Sequence, residues 1–212
     1  MKTSRYLLCW FSVSALAAIA LPLSGAMAAA TANSPDEDAR ESEAVREAEQ
    51  EQPAPVALLA VGDRAPLFSG HDQDRHKWKL SNHLGKSVVF LYFNPKDNTA
   101  GCTAEACGLR DNLVELKQLG VDVVGVSFDG KDSHKEFAFR NNLSFPLLAD
   151  TDGQIADAYG ARMVGDKKMD RRISFLIGLD GKIVHITDSP EPAIHVREMV
   201  AAVAKLTGKV AP

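Results

Sequence analysis

The chain has 212 residues, 45% of them hydrophobic, which suffices for one domain with its own core and falls short of two. Its formal net charge of −4 is unevenly spread: residues 29–60 hold eight acids against Arg40 and Arg46, while the chain from Val61 onward carries 20 basic and 20 acidic groups. With no basic face, the composition gives a nucleic-acid partner no support.

Lys2 and Arg5 precede an apolar stretch from Tyr6 to Leu23, and Ala26-Met27-Ala28 forms an A-x-A cleavage signal. Residues 1–28 are therefore expected to be a secretory signal peptide, with an uncleaved membrane anchor as the alternative. Cleavage would leave the mature protein across a membrane, most simply in a bacterial periplasm, without stable membrane association. Cys9 departs with that leader, so Cys102 and Cys107 remain, the number expected for one disulfide in an oxidising compartment. Residues 29–58 are rich in Ala, Glu and Gln, with Val45 the one large apolar residue before Pro53 and Pro55. Such a segment cannot bury enough surface to offset its ordering entropy and reads as an acidic spacer. The folded domain is expected over residues 59–212.

Ala65 to Leu80 reads as a β-hairpin around the polar turn G-H-D-Q-D-R, with Trp78 packed in it. Ser87 to Phe93 is a nearly unbroken apolar run, the mark of a strand buried on both faces. A polar loop with Pro95 and Gly101 leads into a helix in which Ala106, Leu109, Leu113 and Leu116 recur at helical spacing up to Gly120. Val121 to Phe128 reads as a second buried strand, Lys131 to Asn142 as a helix, and Phe145 to Leu148 as a short strand. Asp150-Thr151-Asp152-Gly153 reads as the start of a short helix rather than an acid/base dyad. Ile173 to Ile177 and Ile183 to Thr187 flank the turn L-D-G-K, and Pro192 to Leu206 is an amphipathic helix. This order predicts an α/β domain, a central mixed sheet flanked by helices in the thioredoxin-like arrangement, with an N-terminal β-hairpin added in front.

The stretch from Phe93 to Asp111, F-N-P-K-D-N-T-A-G-C-T-A-E-A-C-G-L-R-D, carries the chemistry. A strand hands Cys102 to the first turn of a helix, where unpaired N–H groups and the positive end of the helix dipole favour thiolate over thiol. Cys107 follows five residues later. On an intact α-helix that spacing holds the Cα atoms about 8.6 Å apart, beyond the ~7 Å limit of a disulfide. A bond between them would require the helix to unwind and would be labile rather than a permanent staple.

Pro95-x-x-x-Thr99-x-x-Cys102 resembles the active-site signature of the peroxiredoxins, and C-T-A-E-A-C-G-L-R-D resembles the subfamily of bacterioferritin comigratory protein, or peroxiredoxin Q. V-V-G-V-S-F-D (Val123 to Asp129), Ser133-His134, F-P-L-L-A-D (Phe145 to Asp150), R-I-S-F-L-I (Arg172 to Ile177) and D-G-K-I (Asp180 to Ile183) extend the likeness over about residues 60–207. The resemblance implies a thiol peroxidase reducing hydrogen peroxide and organic hydroperoxides, with Cys102 as peroxidatic and Cys107 as resolving cysteine. A thioredoxin-like dithiol would recycle the intramolecular disulfide, and a monomer suffices because both cysteines lie on one chain.

An ordinary thiol, with a pKa of about 8.5, is mostly protonated at neutrality, so further groups must favour the thiolate. By its place before a core strand, Arg172 is the family's arginine; strand alternation sends Arg171 to the other face. Thr99 is expected to bond the thiolate and position the peroxide, Pro95 to shield the sulfur, and the N–H groups near Gly101 and Cys102 to hold peroxide oxygens. Glu105, one turn after Cys102, either orients Arg172 or faces solvent. The chain departs from the family at Ala100, where proline is usual, and at Asn94 and Gly178. His71, His76, His83, His134, His185 and His195 lack metal-ligand spacing and are expected at the surface or at helix caps, so neither metal nor cofactor is implied. The competing functions are a general thiol–disulfide oxidoreductase, which would normally carry Cys-x-x-Cys, and a redox-inactive binding or holdase module.

Overall fold

The computed structural model describes residues 59–166 and 168–208; the expected leader (1–28) and spacer (29–58) lie outside the described residues. Among the described residues, seven strands and five α-helices follow in chain order: β1 (Ser69–His71), β2 (Lys77–Lys79), β3 (Val88–Phe93), α1 (Ala100–Asp111), α2 (Leu113–Gln118), β4 (Val121–Ser127), α3 (Lys131–Asn141), β5 (Leu147–Ala149), α4 (Gln154–Ala158), β6 (Ile173–Ile177), β7 (Ile183–Asp188) and α5 (Pro192–Thr207). The hairpin β1–β2 forms a separate two-stranded sheet, shorter than the apolar ends of its segment suggest. Trp78 stacks between Phe68 and His83, with ring centroids 5.3 and 4.5 Å away.

The central sheet runs β5-β4-β3-β6-β7. β3, β4 and β5 are parallel, whereas β6 pairs antiparallel with both β3 and β7, so the sheet is mixed as expected. Every residue of β3 is buried, and its alternation divides two cores. Val88, Phe90 and Tyr92 pack with Ala106, Leu109, Phe137 and Met199, while Val89, Leu91 and Phe93 pack with Ile155, Tyr159 and Phe175. At Gly125 on β4 a Cβ would fall 2.8 Å from the Tyr92 ring, so the absent side chain makes room for that aromatic.

One helix was expected from Cys102 to Gly120, and two are found. The Asn112 side chain donates to the Gly108 carbonyl at 2.8 Å, and its φ/ψ of −97°/0° leaves the helical region. An Asn amide competing for a backbone carbonyl interrupts a helix in this way. The start of α4 is secured by the Asp150 carboxylate, which accepts from Ile155 N (3.1 Å) and Ala156 N (2.8 Å), the capping role its sequence context suggests.

The register delivers the site. Phe93 at the C-terminal end of β3 lies opposite Ile173 at the start of β6, so Arg172 arrives beside the loop that leaves β3 for α1. Two residues earlier, Asp170 is fully buried with no hydrogen-bond partner on either carboxylate oxygen. Burial, with Asp150 adding to it and Arg162 opposing, pushes its pKa from 3.8 to about 8. A carboxyl raised in this way favours the folded state below its unfolded pKa, and that contribution is lost as pH climbs through about 8. Replacing Asp170 by Asn, which cannot ionise, should leave the melting temperature nearly unchanged below pH 3.8, where the carboxyl is protonated in both states. At pH 9 it should raise it by about 2–8 °C, the equivalent of roughly 1–3 kcal/mol for a buried unpaired group. Parallel melting curves for the two proteins across that range would disprove the assignment.

Candidate active site

Cys102 is the third residue of α1 and only 1% exposed. The first helical hydrogen bond runs from Thr103 N to Thr99 O at 2.9 Å, so the N–H groups of Ala100, Gly101 and Cys102 precede the ladder and form the positive end of the helix. Arg172 Nη2 donates to Cys102 Sγ at 3.4 Å, and Nη1 bonds Glu105 Oε2. One guanidinium thus joins the thiol to the carboxylate one turn along the helix. Gly101 permits the approach, because a Cβ there would lie 3.0 Å from Arg172 Nη2. Arg171 turns away to pair with Asp188.

Glu105 is fully buried rather than solvent-facing. Burial pushes its pKa from 4.5 to about 7 against the opposing pull of Arg172. The Arg172 side chain is only 10% exposed, so its charge is delivered into a dry setting where Coulombic interactions are strong. Nearby on β3, Tyr92 is buried with an unbonded hydroxyl, and burial, with Glu105, Asp97 and Cys102 adding to it, keeps it un-ionised.

The Thr99 hydroxyl donates to the Lys96 carbonyl at 3.0 Å, not to the sulfur, which leaves its oxygen lone pairs to accept. Pro95 is half-buried and borders a cavity of about 330 Å³ shared with Met163, Arg171, Arg172, Asp188, Ser189 and Pro190. A larger cavity of about 650 Å³ between α5 and β7, lined by Val184, His185 and Glu198 among others, includes neither cysteine nor Arg172. Cys107 is half-buried and unbonded to Cys102, with Sγ 3.9 Å from Asn141 Oδ1 at the end of α3. The unbroken helix keeps the two sulfurs on one rod with no direct bond.

Sequence reasoning missed what holds the loop. Asp97 is buried and accepts from Asn94 Nδ2 (3.1 Å), Ser133 Oγ (2.9 Å) and His134 Nδ1 (2.8 Å), while its own N–H donates to Asp129 Oδ2 at 2.8 Å. His134 Nε2 faces the Leu148 carbonyl at 3.2 Å. His134 and His195 are 1% and 0% exposed, which corrects the surface placement expected for them alongside helix capping. His195 shared the helical spacing of Met199 and Val203, and that inward periodicity was the available signal.

Known proteins are similar to this chain over most of the described residues. The family model for AhpC/TSA proteins matches residues 61–186. Peroxiredoxin Bcp of Escherichia coli K12 is 44% identical over 142 residues, 65% of this chain and 90% of that protein. Among solved structures, peroxidoxin BcpB from Mycobacterium tuberculosis superposes with a TM-score of 0.66 at 29% identity, over 70% of this chain and 98% of that one. The bacterioferritin comigratory protein of Xanthomonas campestris, described for its alkyl peroxide reduction activity, reaches 0.61 at 27% identity over 66% and 92%. A thiol beside a buried arginine at a helix N-terminus, on a mixed sheet matched over nearly the whole of these relatives, leads to one conclusion: this chain belongs to the AhpC/TSA family and is a peroxiredoxin, a thiol-dependent peroxidase.

Proposed function

We propose that Cys102 is the peroxidatic sulfur and Cys107 the resolving one, and that the chain reduces hydrogen peroxide and organic hydroperoxides through an intramolecular disulfide. The observation that carries this reading is the Arg172 Nη2 to Cys102 Sγ contact at the N-terminus of α1, with both groups nearly closed to solvent. A cation and three unpaired amides favour the thiolate there. The Thr99 oxygen can accept the peroxide O–H, and the amides of Gly101 and Cys102 can hold the oxygen on which charge develops. Organic hydroperoxides are supported by the alkyl peroxide activity described for the Xanthomonas relative and by the mostly apolar cavity bordered by Pro95, Met163 and Pro190.

The thiolate attacks the outer peroxide oxygen; the O–O bond breaks, sulfur becomes a sulfenic acid, and the alkoxide or hydroxide leaves and takes up a proton. Cys107 then displaces water from that sulfur. An external dithiol of the thioredoxin type reduces the disulfide and is itself oxidised. Before Cys107 can reach Cys102, α1 must unwind between them. This releases Glu105 from Arg172 and Cys107 from Asn141, while Asp97 keeps the preceding loop tied to α3. We further assign the protein to the bacterial periplasm or another exported location, on the leader-like composition of residues 1–28. Neither a metal nor a second subunit enters these steps.

Reduced protein mixed with one equivalent of hydrogen peroxide should lose both thiols and about 2 Da of mass, and Cys107→Ser should stop at a gain of about 16 Da on Cys102. A Cys102→Ser protein that consumes peroxide as fast as the wild type overturns the peroxidatic assignment. Arg172→Ala should slow the first step by about 10²–10³-fold and shift thiolate absorbance to higher pH; an unchanged stopped-flow rate removes Arg172 from the site.

A further inference from the structure

One oxygen at the site is left without a partner. Glu105 Oε2 bonds Arg172, whereas Oε1 is buried and makes no hydrogen bond. Facing it is His195 on α5, fully buried, with Nδ1 3.6 Å from Oε1. His195 Nε2 lies 2.8 Å from the Ser189 carbonyl, which only accepts, so that nitrogen carries the hydrogen. Nδ1 lies 2.8 Å from Ser174 Oγ, and in the neutral ring it offers a lone pair to that hydroxyl. An ionised carboxylate would then turn an unpaired oxygen toward a nitrogen lone pair inside the core. Burial makes that arrangement costly, and a single proton on Oε1 or Nδ1 removes the conflict.

We propose that His195 is a positioning residue for peroxide reduction: together with Glu105 it holds one proton, and that proton decides how much of the Arg172 charge reaches Cys102. This rests on the assignment of Cys102 as the attacking sulfur. The groups facing the pair are Cys102 on α1, Tyr92 on β3, Arg172 ahead of β6, and Glu198 on α5 itself. With the proton in place, the buried centre contains the guanidinium and the thiolate and is neutral. Once the proton is lost, one guanidinium serves two anions and the centre carries a net negative charge, so the thiolate is disfavoured. Burial raises Glu105 and lowers His195, which locates the proton on the carboxyl beside a neutral ring. The proton on the pair and the charge on the Cys102 sulfur are therefore linked through Arg172.

The test uses the full chain carrying Cys107→Ser, followed by thiolate absorbance. In this parent the absorbance should rise more gradually with pH than a one-proton curve. His195→Gln offers Oε1 an amide donor that stabilises ionised Glu105, so the thiolate fraction on the rising part of the curve should fall, with a displacement of about one pH unit. Adding Glu105→Gln, a neutral stand-in for the protonated acid, should restore that fraction, a rescue that a purely structural role for His195 cannot produce. The proposal fails if His195→Gln titrates like the parent, or if the folded double variant stays low. A second measurement leaves His195 untouched: with ¹⁵N-labelled histidine, Cys102→Ser should shift the pH response of the His195 ring by the amount that linkage requires. A ring response indifferent to Cys102→Ser also overturns the proposal. If instead the parent forms no sulfenic acid with peroxide, the underlying assignment of Cys102 has failed, a result distinct from any of these.

Discussion

A single guanidinium organises this protein's chemistry. Arg172 reaches Cys102 with one nitrogen and Glu105 with another, and its side chain is almost shut from solvent. Removing one partner of a buried charge leaves the other uncompensated, at roughly 3–5 kcal/mol, so thiol, cation and acid form one unit. That unit exists because the antiparallel β3–β6 register brings Arg172 to the end of β3, and because Gly101 has no side chain to block it. Cys102 then sits where the charge of the arginine and the positive end of α1 add.

The helix that helps ionise the first sulfur also withholds the second. An intact turn-and-a-half separates Cys102 from Cys107, and Cys107 contacts Asn141 across the groove to α3. Arg110 strengthens that tie by donating to the Asn141 carbonyl at 2.8 Å. Just upstream the loop is held differently: Asp97 collects three donors from Asn94, Ser133 and His134, none of which belongs to α1. In the mechanism proposed above, a loop held from α3 and followed by a helix that opens would let the site stay assembled for attack and rearrange for resolution. The break at Asn112 would confine that opening to α1, because α2 begins its own hydrogen-bond ladder there.

Several buried polar atoms in this region lack partners: Glu105 Oε1, the Tyr92 hydroxyl and both oxygens of Asp170. Each lowers stability, and Glu105 and Asp170 are raised toward or above neutrality because burial disfavours their charged forms. Around Glu105 the cost accompanies the role proposed for it, a carboxyl poised between its two protonation states that adjusts the field at the sulfur. Asp170 bonds neither Cys102 nor Arg172, and the charge that opposes its burial is that of Arg162.

The local sequence determined much of this protein. The unbroken apolar run of β3, the Asp-Gly turn from Leu179 to Lys182, the helical spacing after Cys102 and the strand alternation that separates Arg171 from Arg172 are all local signals, and the P-x-x-x-T-x-x-C stretch carried the family likeness. What depends on distant partners could not be read there. Whether Glu105 faces solvent or core is decided by α5 and by Arg172, 67 residues away. The Thr99 hydroxyl chooses the Lys96 carbonyl because the loop folds back on itself. His134 and His195 are single histidines on helices, and only the packing of those helices against the sheet turns one into a brace for the catalytic loop and brings the other to the unpaired oxygen of Glu105. Pattern fixes which face of an element is buried; which polar atoms meet inside is set by the three-dimensional crossing of elements far apart in the chain.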